Sequence, residues 1–409
     1  MSTSIAPQRV INVLGIGIVL SLLGDNTLYT VLPDSTIWSR VGLTLAWVGV
    51  LLGVNRIVRL IFNLGAGVLY DRLPRRRLLI GALTIGAACN VIYALAFGPA
   101  PFLLGRVLWG AAWSGLWIGG NTVVLDVSTE ATRGRNSGRF QMWFFIGVAS
   151  GGLFGGAFTD LLGFQGWMWV SAAITGMGAL LWYFKMPETR PEDGEGVSRV
   201  PSWREFPIRA SFPASVPVMA VRFVFAGVMA ATTILWLERY VGRELSLAWI
   251  VVPLATLTGA ISAVRVLTSI VGAPLAGRAS DRLGRRWPVM AGGLAAGAVG
   301  TWLMGGSAIW LALFGALLAA ITSGSVQALA PAIIGDRVEE ARQSRALSVV
   351  FSLGDVASAL GPPLALGLLA VLGISGVYRM SAIVLGLAGV FALAQVAREP
   401  LRKHIAGEA

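Results

Sequence analysis

Apolar stretches of about 20 residues recur twelve times along this chain, and that recurrence leaves few folds open. A helix needs about 20 mostly apolar residues to cross the hydrocarbon of a bilayer. Such stretches lie near 10–32, 43–69, 78–98, 102–125, 140–162 and 167–184, and again near 215–237, 248–276, 287–305, 307–334, 346–371 and 376–396. A polar segment, 185–213, separates the two sets of six, and 397–409 form a polar tail. In lipid, backbone polar groups must be paired within the protein. The expected fold class is therefore all-α integral membrane, with twelve transmembrane helices in two pseudo-symmetric six-helix bundles. The expected domains are a first bundle at 1–184, a linker at 185–213, and a second bundle with its tail at 214–409.

Composition narrows the functions. Hydrophobic residues make up 56% of the 409 and charged residues 13%, against about 25% charged in a soluble domain. The 52 glycines suit helices that pack closely in a membrane. A net charge of +12 would suggest nucleic acid in a soluble protein. Here the basic residues sit in short loops and no reader motif accompanies them, so no nucleic-acid partner is expected. Cys89 is the sole cysteine and His404, in the tail, the sole histidine. A disulfide framework, a cysteine metal site and a Ser-His-Asp triad are thereby excluded. No metal or cofactor is expected. A membrane enzyme would need clustered His, Cys or carboxylates at one depth, and the chain offers no such set. The apolar segment after MSTSIAPQRV lacks a small-residue cleavage site and reads as a retained first span.

Lys and Arg placement sets the expected orientation. With both termini cytoplasmic, the inner segments hold 23 of the 32 and the outer segments four: Arg40, Arg239, Arg243 and Arg379. The other five lie within spans. A plasma (inner) membrane protein with both termini cytoplasmic is the expectation.

The two halves match at a shift of 210 residues. AGVLYDRLPRRR (66–77) aligns with AGRASDRLGRRW (276–287). Asp71 falls on Asp281, Arg72 on Arg282 and Arg76 on Arg286. Asp126 then falls on Asp336, Glu130 on Glu340, Arg135 on Arg345, and Gly151-Gly152 on Gly361-Pro362. Parallel repeats of six spans suit two bundles rocking about a central site.

At these residues the chain resembles the major facilitator superfamily. The signature is a glycine, Asp-Arg and a basic cluster after the second span. It reads Gly67, Asp71, Arg72, Arg75, Arg76 and Arg77, and again Gly277, Asp281, Arg282, Gly284, Arg285 and Arg286. Pro74 stands where a glycine is usual. Arg106 and Gly110 match the Arg-x-x-x-Gly motif of span 4. Gly147, Gly151, Gly155 and Gly156 match the glycine-rich span 5 pattern of the drug/proton antiporter branch, with Gly152 in place of its proline. The resemblance implies a secondary active transporter, with export favoured over import. It also implies that Gly67, Asp71, Arg72, Arg76 and Asp126, with Gly277, Asp281, Arg282, Arg286 and Asp336, form a cytoplasmic gate. Apart from the resemblance, paired Asp and Arg at helix ends can latch neighbouring helices in one state and release them in another. The Gly147/Gly151/Gly155 ladder is either a sliding surface between the halves or static close packing.

Ionisable residues inside spans are costly and mark functional sites. They are Arg56, Arg59, Arg106, Arg222, Arg265, Asp25 and Asp355. Asp34 and Asp160 lie near outer span ends and are expected to be wet. Arg59 precedes Asp71 by 12 residues, roughly 18 Å along a helix and so near mid-bilayer. Arg265 lies at a similar depth, with Asn55 at the equivalent first-half position. Asp25 sits in GDNTLYTVLP (24–33). It is expected to face one cavity with the span 2 arginines, as a proton site or as one half of a permanent ion pair. Asp355 either joins the coupling or pairs with Arg222. The proton-coupling candidates are Asp25, Arg106 and Asp355. The substrate-binding candidates are Asn26, Tyr29, Asn55, Arg56, Arg59, Asn63, Trp113, Arg222 and Arg265. Trp113 also suits simple packing.

Five arginines against two aspartates suit an anionic or zwitterionic solute, or an amphiphile with an acidic head. No nucleotide-binding loop of the G-x-x-x-x-G-K-[ST] type is present, so an ion gradient is the expected energy source, proton first and sodium as alternative. The expected partners are a small-molecule substrate, the coupling ion and the lipid bilayer, and the chain is expected to act as a monomer. A lipid or lysolipid flippase on the same fold is the alternative function.

Overall fold

The computed structural model describes residues 7–129, 132–190, 207–247 and 250–397. Glu130, the middle of the polar linker and the tail with His404 lie outside them, as does the side chain of Glu340. The first half runs α1 (Pro7–Val31), α2 (Ser35–Arg40), α3 (Leu45–Arg72), α4 (Arg75–Leu95), α5 (Pro99–Asp126) and α6 (Arg133–Lys185). The 53-residue α6 is two spans joined at Gly163, whose φ of +73° suits only a residue without a Cβ. The second half begins with α7 (Ile208–Val221), a π-helical turn (Arg222–Met229) and α8 (Ala230–Val241). A hairpin of β1 (Glu244–Leu247) and β2 (Ile250–Pro253) follows, then α9 (Leu254–Leu283), α10 (Trp287–Met304), α11 (Ile309–Arg337), α12 (Glu340–Gly367) and α13 (Leu369–Val396).

Among the described residues, nine helical stretches are long and apolar enough to span, and one of these, Arg135–Lys185, contains the Gly163 break. With the Gly- and Trp-rich α5 and the 18-residue α10, the long helices number twelve. The expected spans agree except at 248–253. There β-branched Ile250, Val251 and Val252 extend as β2 against β1, and the helix begins only at Leu254.

The contacts divide the described residues into two units. One is 7–190 with Thr233–Ala263; the other is 207–232 with 264–397. In the first, α1 lies along α6, α4 packs on α5 and α6, and α3 packs on α5. In the second, α10 packs on α11 and α13, and α12 packs on α7 and the π turn. The repeat is visible in packing. A side chain at Gly151 would strike the Leu22 carbonyl of α1, and one at the aligned Gly361 would strike Gly227 of the π turn.

Candidate functional site

Asp25 and Tyr29 are one turn apart on α1 and so share a face. That face meets α5 and α3. Arg106, fully buried, donates from one guanidinium nitrogen to Asp25 Oδ1 at 2.5 Å. Its Nε donates to the Leu51 carbonyl at 2.9 Å and its other nitrogen to the Tyr29 hydroxyl at 3.0 Å. The Tyr29 oxygen lies 2.9 Å from the Leu52 carbonyl and 3.1 Å from Asn55 Oδ1. Arg56 Nε reaches the same hydroxyl at 3.5 Å, and both guanidinium groups lie over the Tyr29 ring. A buried cation needs a counter-ion and donors satisfied on every side. Here one carboxylate, one backbone carbonyl and one phenol supply them.

The Arg-x-x-x-Gly spacing explains how Arg106 gets there. A Cβ at Gly110 would sit 2.8 Å from the Asn55 carbonyl oxygen. Its absence lets α5 close onto α3, and one turn earlier Arg106 meets Leu51. The ion-pair partner of Asp25 is Arg106 of α5, and Arg56 reaches the same cluster at the Tyr29 hydroxyl. Arg59 and Asn63 are half-buried further along α3. Asn26 does not share the Asp25 face. Its amide donates to the Leu22 carbonyl of its own helix, and it packs where Gly151 of α6 approaches. Trp113 is buried in a row of rings with Trp109, Trp117 and Phe144.

In the second unit Arg222 donates to Asp355 at 2.7 Å and lies over the Phe351 ring. Arg222 opens the π turn of span 7, so the wide turn and the ion pair coincide. Such turns inside α-helices recur at functional sites. Arg265 lies on α9, where its carbonyl accepts from Ser269.

The basic ends of the two halves differ. In the second half Arg286 pairs with Asp336 at 2.7 Å and Asp281 at 3.4 Å. In the first half the matching Asp126 is held by Arg75 at 3.2 Å, not by Arg76. Arg76 instead donates to the Tyr183 carbonyl and lies over the Tyr183 ring. The cause is the residue between the helices. Pro74, at φ −56°, starts α4 at once, with Arg75 first. Gly284 takes φ +61°, ends α9, and delays α10 to Trp287, two aligned positions later. The arginine that reaches the aspartate shifts accordingly. Glu188, not anticipated, accepts from the backbone N–H groups of Arg75 and Arg76 at 2.9 and 3.2 Å. Gly67 and Gly277 have open space where a side chain would start. Asp71 is half-buried, and Arg72 and Arg282 are exposed.

At the opposite end, Asp34 is buried rather than wet. It caps α2 through the N–H and hydroxyl of Thr36 and accepts from Arg243 at 2.6 Å. That bond raises the Arg243 pKa above its ordinary value. Asp160 accepts from the N–H and hydroxyl of Thr256 at 2.8 and 2.6 Å. Between these bonds, a Cβ at Gly156 would fall 2.0 Å from the Ala255 carbonyl, and one at Gly259 2.3 Å from the Gly152 carbonyl. The Gly147/Gly151/Gly155 face packs on α1, while Gly152 and Gly156 meet the first turns of α9. The sequence placed Arg243 in an outer segment but gave no partner for it, because the β2 side of the hairpin that follows reads as the start of a helix.

A sequence profile described as the Major Facilitator Superfamily matches residues 14–266 and 254–409. The chain belongs to this superfamily. Among relatives of the superfamily, the class C tetracycline resistance protein of Escherichia coli is 26% identical over 325 residues, 77% of this chain and 78% of that one. The inner membrane transport protein YajR of Escherichia coli is 30% identical over 149 residues, and the efflux pump patC of Aspergillus clavatus 28% over 188. These matches cover 34% and 45% of this chain and span only 31% and 34% of YajR and patC. In fold, the chain is similar to a bacterial homologue of the human lysosomal transporter Spinster, inward-facing and occupied. The TM-score is 0.79 at 17% identity, over 98% of this chain and 99% of that one. This superfamily is one of multi-pass membrane transporters rather than enzymes.

Proposed function

We propose that this transporter exports a small amphiphilic or acidic organic solute in exchange for protons, by alternating access between bundles at 1–184 and 214–409. The observation that carries the reading is the fully buried Arg106 held by Asp25, with Tyr29 and Arg56 beside it. Arg keeps its charge at any working pH, whereas a carboxylate can be neutralised by one proton. Export against an inward proton gradient requires that proton and solute exclude one another. A solute whose polar head donates to Asp25 and whose acidic group meets Arg56 and Arg59 competes with a proton for the same carboxylate. The relative patC, an efflux pump, is consistent with export. The protein would act as a monomer in the plasma membrane, with its arginine-rich end cytoplasmic, and the proton would enter from the opposite side.

The test is a panel of acidic, zwitterionic, cationic and neutral amphiphiles of one chain length, assayed in proteoliposomes with and without an imposed pH gradient. Gradient-dependent movement of acidic or zwitterionic members supports the reading. Movement only of cations, or only with sodium, contradicts it. Scrambling of long-chain lipids without gradient dependence would favour a flippase.

A further inference from the structure

The arginine that the first half does not use in its latch points to a second site. Arg76 is turned to the side of the bundle, where α1 begins and α6 ends. There a cavity of about 240 Å³ is lined by Arg9, Arg76, Phe184 and Lys185. Three cations from three helices converge on it. The Nε of Arg76 is buried and makes no hydrogen bond among the described residues. Arg9 and Lys185 are exposed, and neither has an ion pair among the described residues. Glu188, the near acid, spends its oxygens on the N–H groups of Arg75, Arg76, Thr189 and Arg190.

The site belongs to the first half alone. At the shift of 210, Arg9 falls on Met219 and Lys185 on Gln395. Only Arg76 has a basic counterpart, Arg286, and that one is committed to Asp336. The cluster is therefore not a by-product of the repeat.

We propose that this cavity binds the headgroup phosphate of an anionic phospholipid. Converging cations in a pocket between transmembrane helices at a membrane surface are the chemistry that selects such heads. A lipid is favoured over a free anion because an apolar track leaves the cavity. Phe184, Leu180 and Met177 are all exposed, at spacings that place them on one face of α6. An acyl chain can lie along that stripe while the phosphate meets the three cations. Exposed Tyr183 and Phe184 sit at the helix end, where aromatic rings favour the headgroup level.

The test is retention of phosphatidylglycerol by the purified full chain in detergent, read by native mass spectrometry, with phosphatidylcholine as the neutral lipid. Arg9→Gln/Lys185→Gln removes two exposed cations from the cavity. Arg133→Gln/Arg135→Gln removes two exposed cations from the same end of the protein outside it. The cavity variant should bind phosphatidylglycerol about 30-fold more weakly, the factor for two cations near a phosphate surface. The control variant should bind as wild type does, and phosphatidylcholine should be indifferent to both. Equal losses in the two variants would show diffuse charge and overturn the site. Displacement of phosphatidylglycerol by millimolar inorganic phosphate would show a free-anion site and overturn the lipid assignment.

Discussion

Arg106 reaches Asp25 at 2.5 Å while its Nε is bound to the Leu51 carbonyl, so the ion pair of α1 and α5 is anchored to the backbone of α3. Three helices of the first half thus share one buried charge. Loss of either charge leaves the other buried and unpaired, which costs about 3–5 kcal/mol. Neutralising Asp25 would therefore perturb three helices at once, as the proposed coupling role requires.

Arg106→Lys should be nearly as damaging as Arg106→Ala. An ammonium cannot serve the Asp25 carboxylate, the Leu51 carbonyl and the Tyr29 phenol in the fixed fork geometry that guanidinium offers. Thermal unfolding of the purified variants should show losses of similar size, and Lys rescue of wild-type stability would show that only charge matters at this position.

Arg59→Ala and Arg56→Ala should each weaken an acidic amphiphile about tenfold or more, the loss of a charge-assisted hydrogen bond, and a neutral one of the same chain length far less. Binding isotherms for the two probes decide it. Equal losses would mark both arginines as structural.

The latch should be asymmetric. Arg75→Gln should destabilise more than Arg76→Gln, because Arg75 is buried and holds Asp126 at 3.2 Å, whereas Arg76 does not contact that carboxylate. In the second half the order reverses, with Arg286→Gln costing more than Arg285→Gln by about 1 kcal/mol, since that pair is wetter. Denaturation of the four variants gives the ranking, and identical rankings in both halves would show that Pro74 and Gly284 do not set the register.

Gly156→Ala should loosen the end opposite the arginines. Its new Cβ would lie 2.0 Å from the Ala255 carbonyl, so α6 and α9 must part. A cysteine at Leu254, buried here, placed in a Cys89→Ser background, should then react faster with an impermeant maleimide. An unchanged rate would mean that this contact does not hold the end closed.

Much of this was legible in the sequence. Span positions, the repeat and the intramembrane charges follow from hydropathy and spacing, and both ends of the Arg222–Asp355 pair stand out as rare charges in apolar runs. The partner of Asp25 was not legible, because depth along a helix can be counted while the helix beside it cannot. Spacing puts Asp25 at one depth with the span 2 arginines without naming its ion-pair partner, which is Arg106. The burial of Asp34 was hidden for another reason: its partner Arg243 is presented by a hairpin whose apolar residues read as the start of a helix. The exchange of roles between Arg75 and Arg76 turned on one proline, whose effect is a change of helix start rather than of charge.

The most direct measurement is proton-gradient-driven transport by Asp25→Asn beside wild type, in proteoliposomes, using whichever amphiphile of the panel wild type moves. Counterflow of the same solute without a gradient serves as the internal control. The predicted result is loss of gradient dependence with counterflow retained. Gradient-driven transport by Asp25→Asn at the wild-type rate would contradict the assignment of the coupling proton to Asp25.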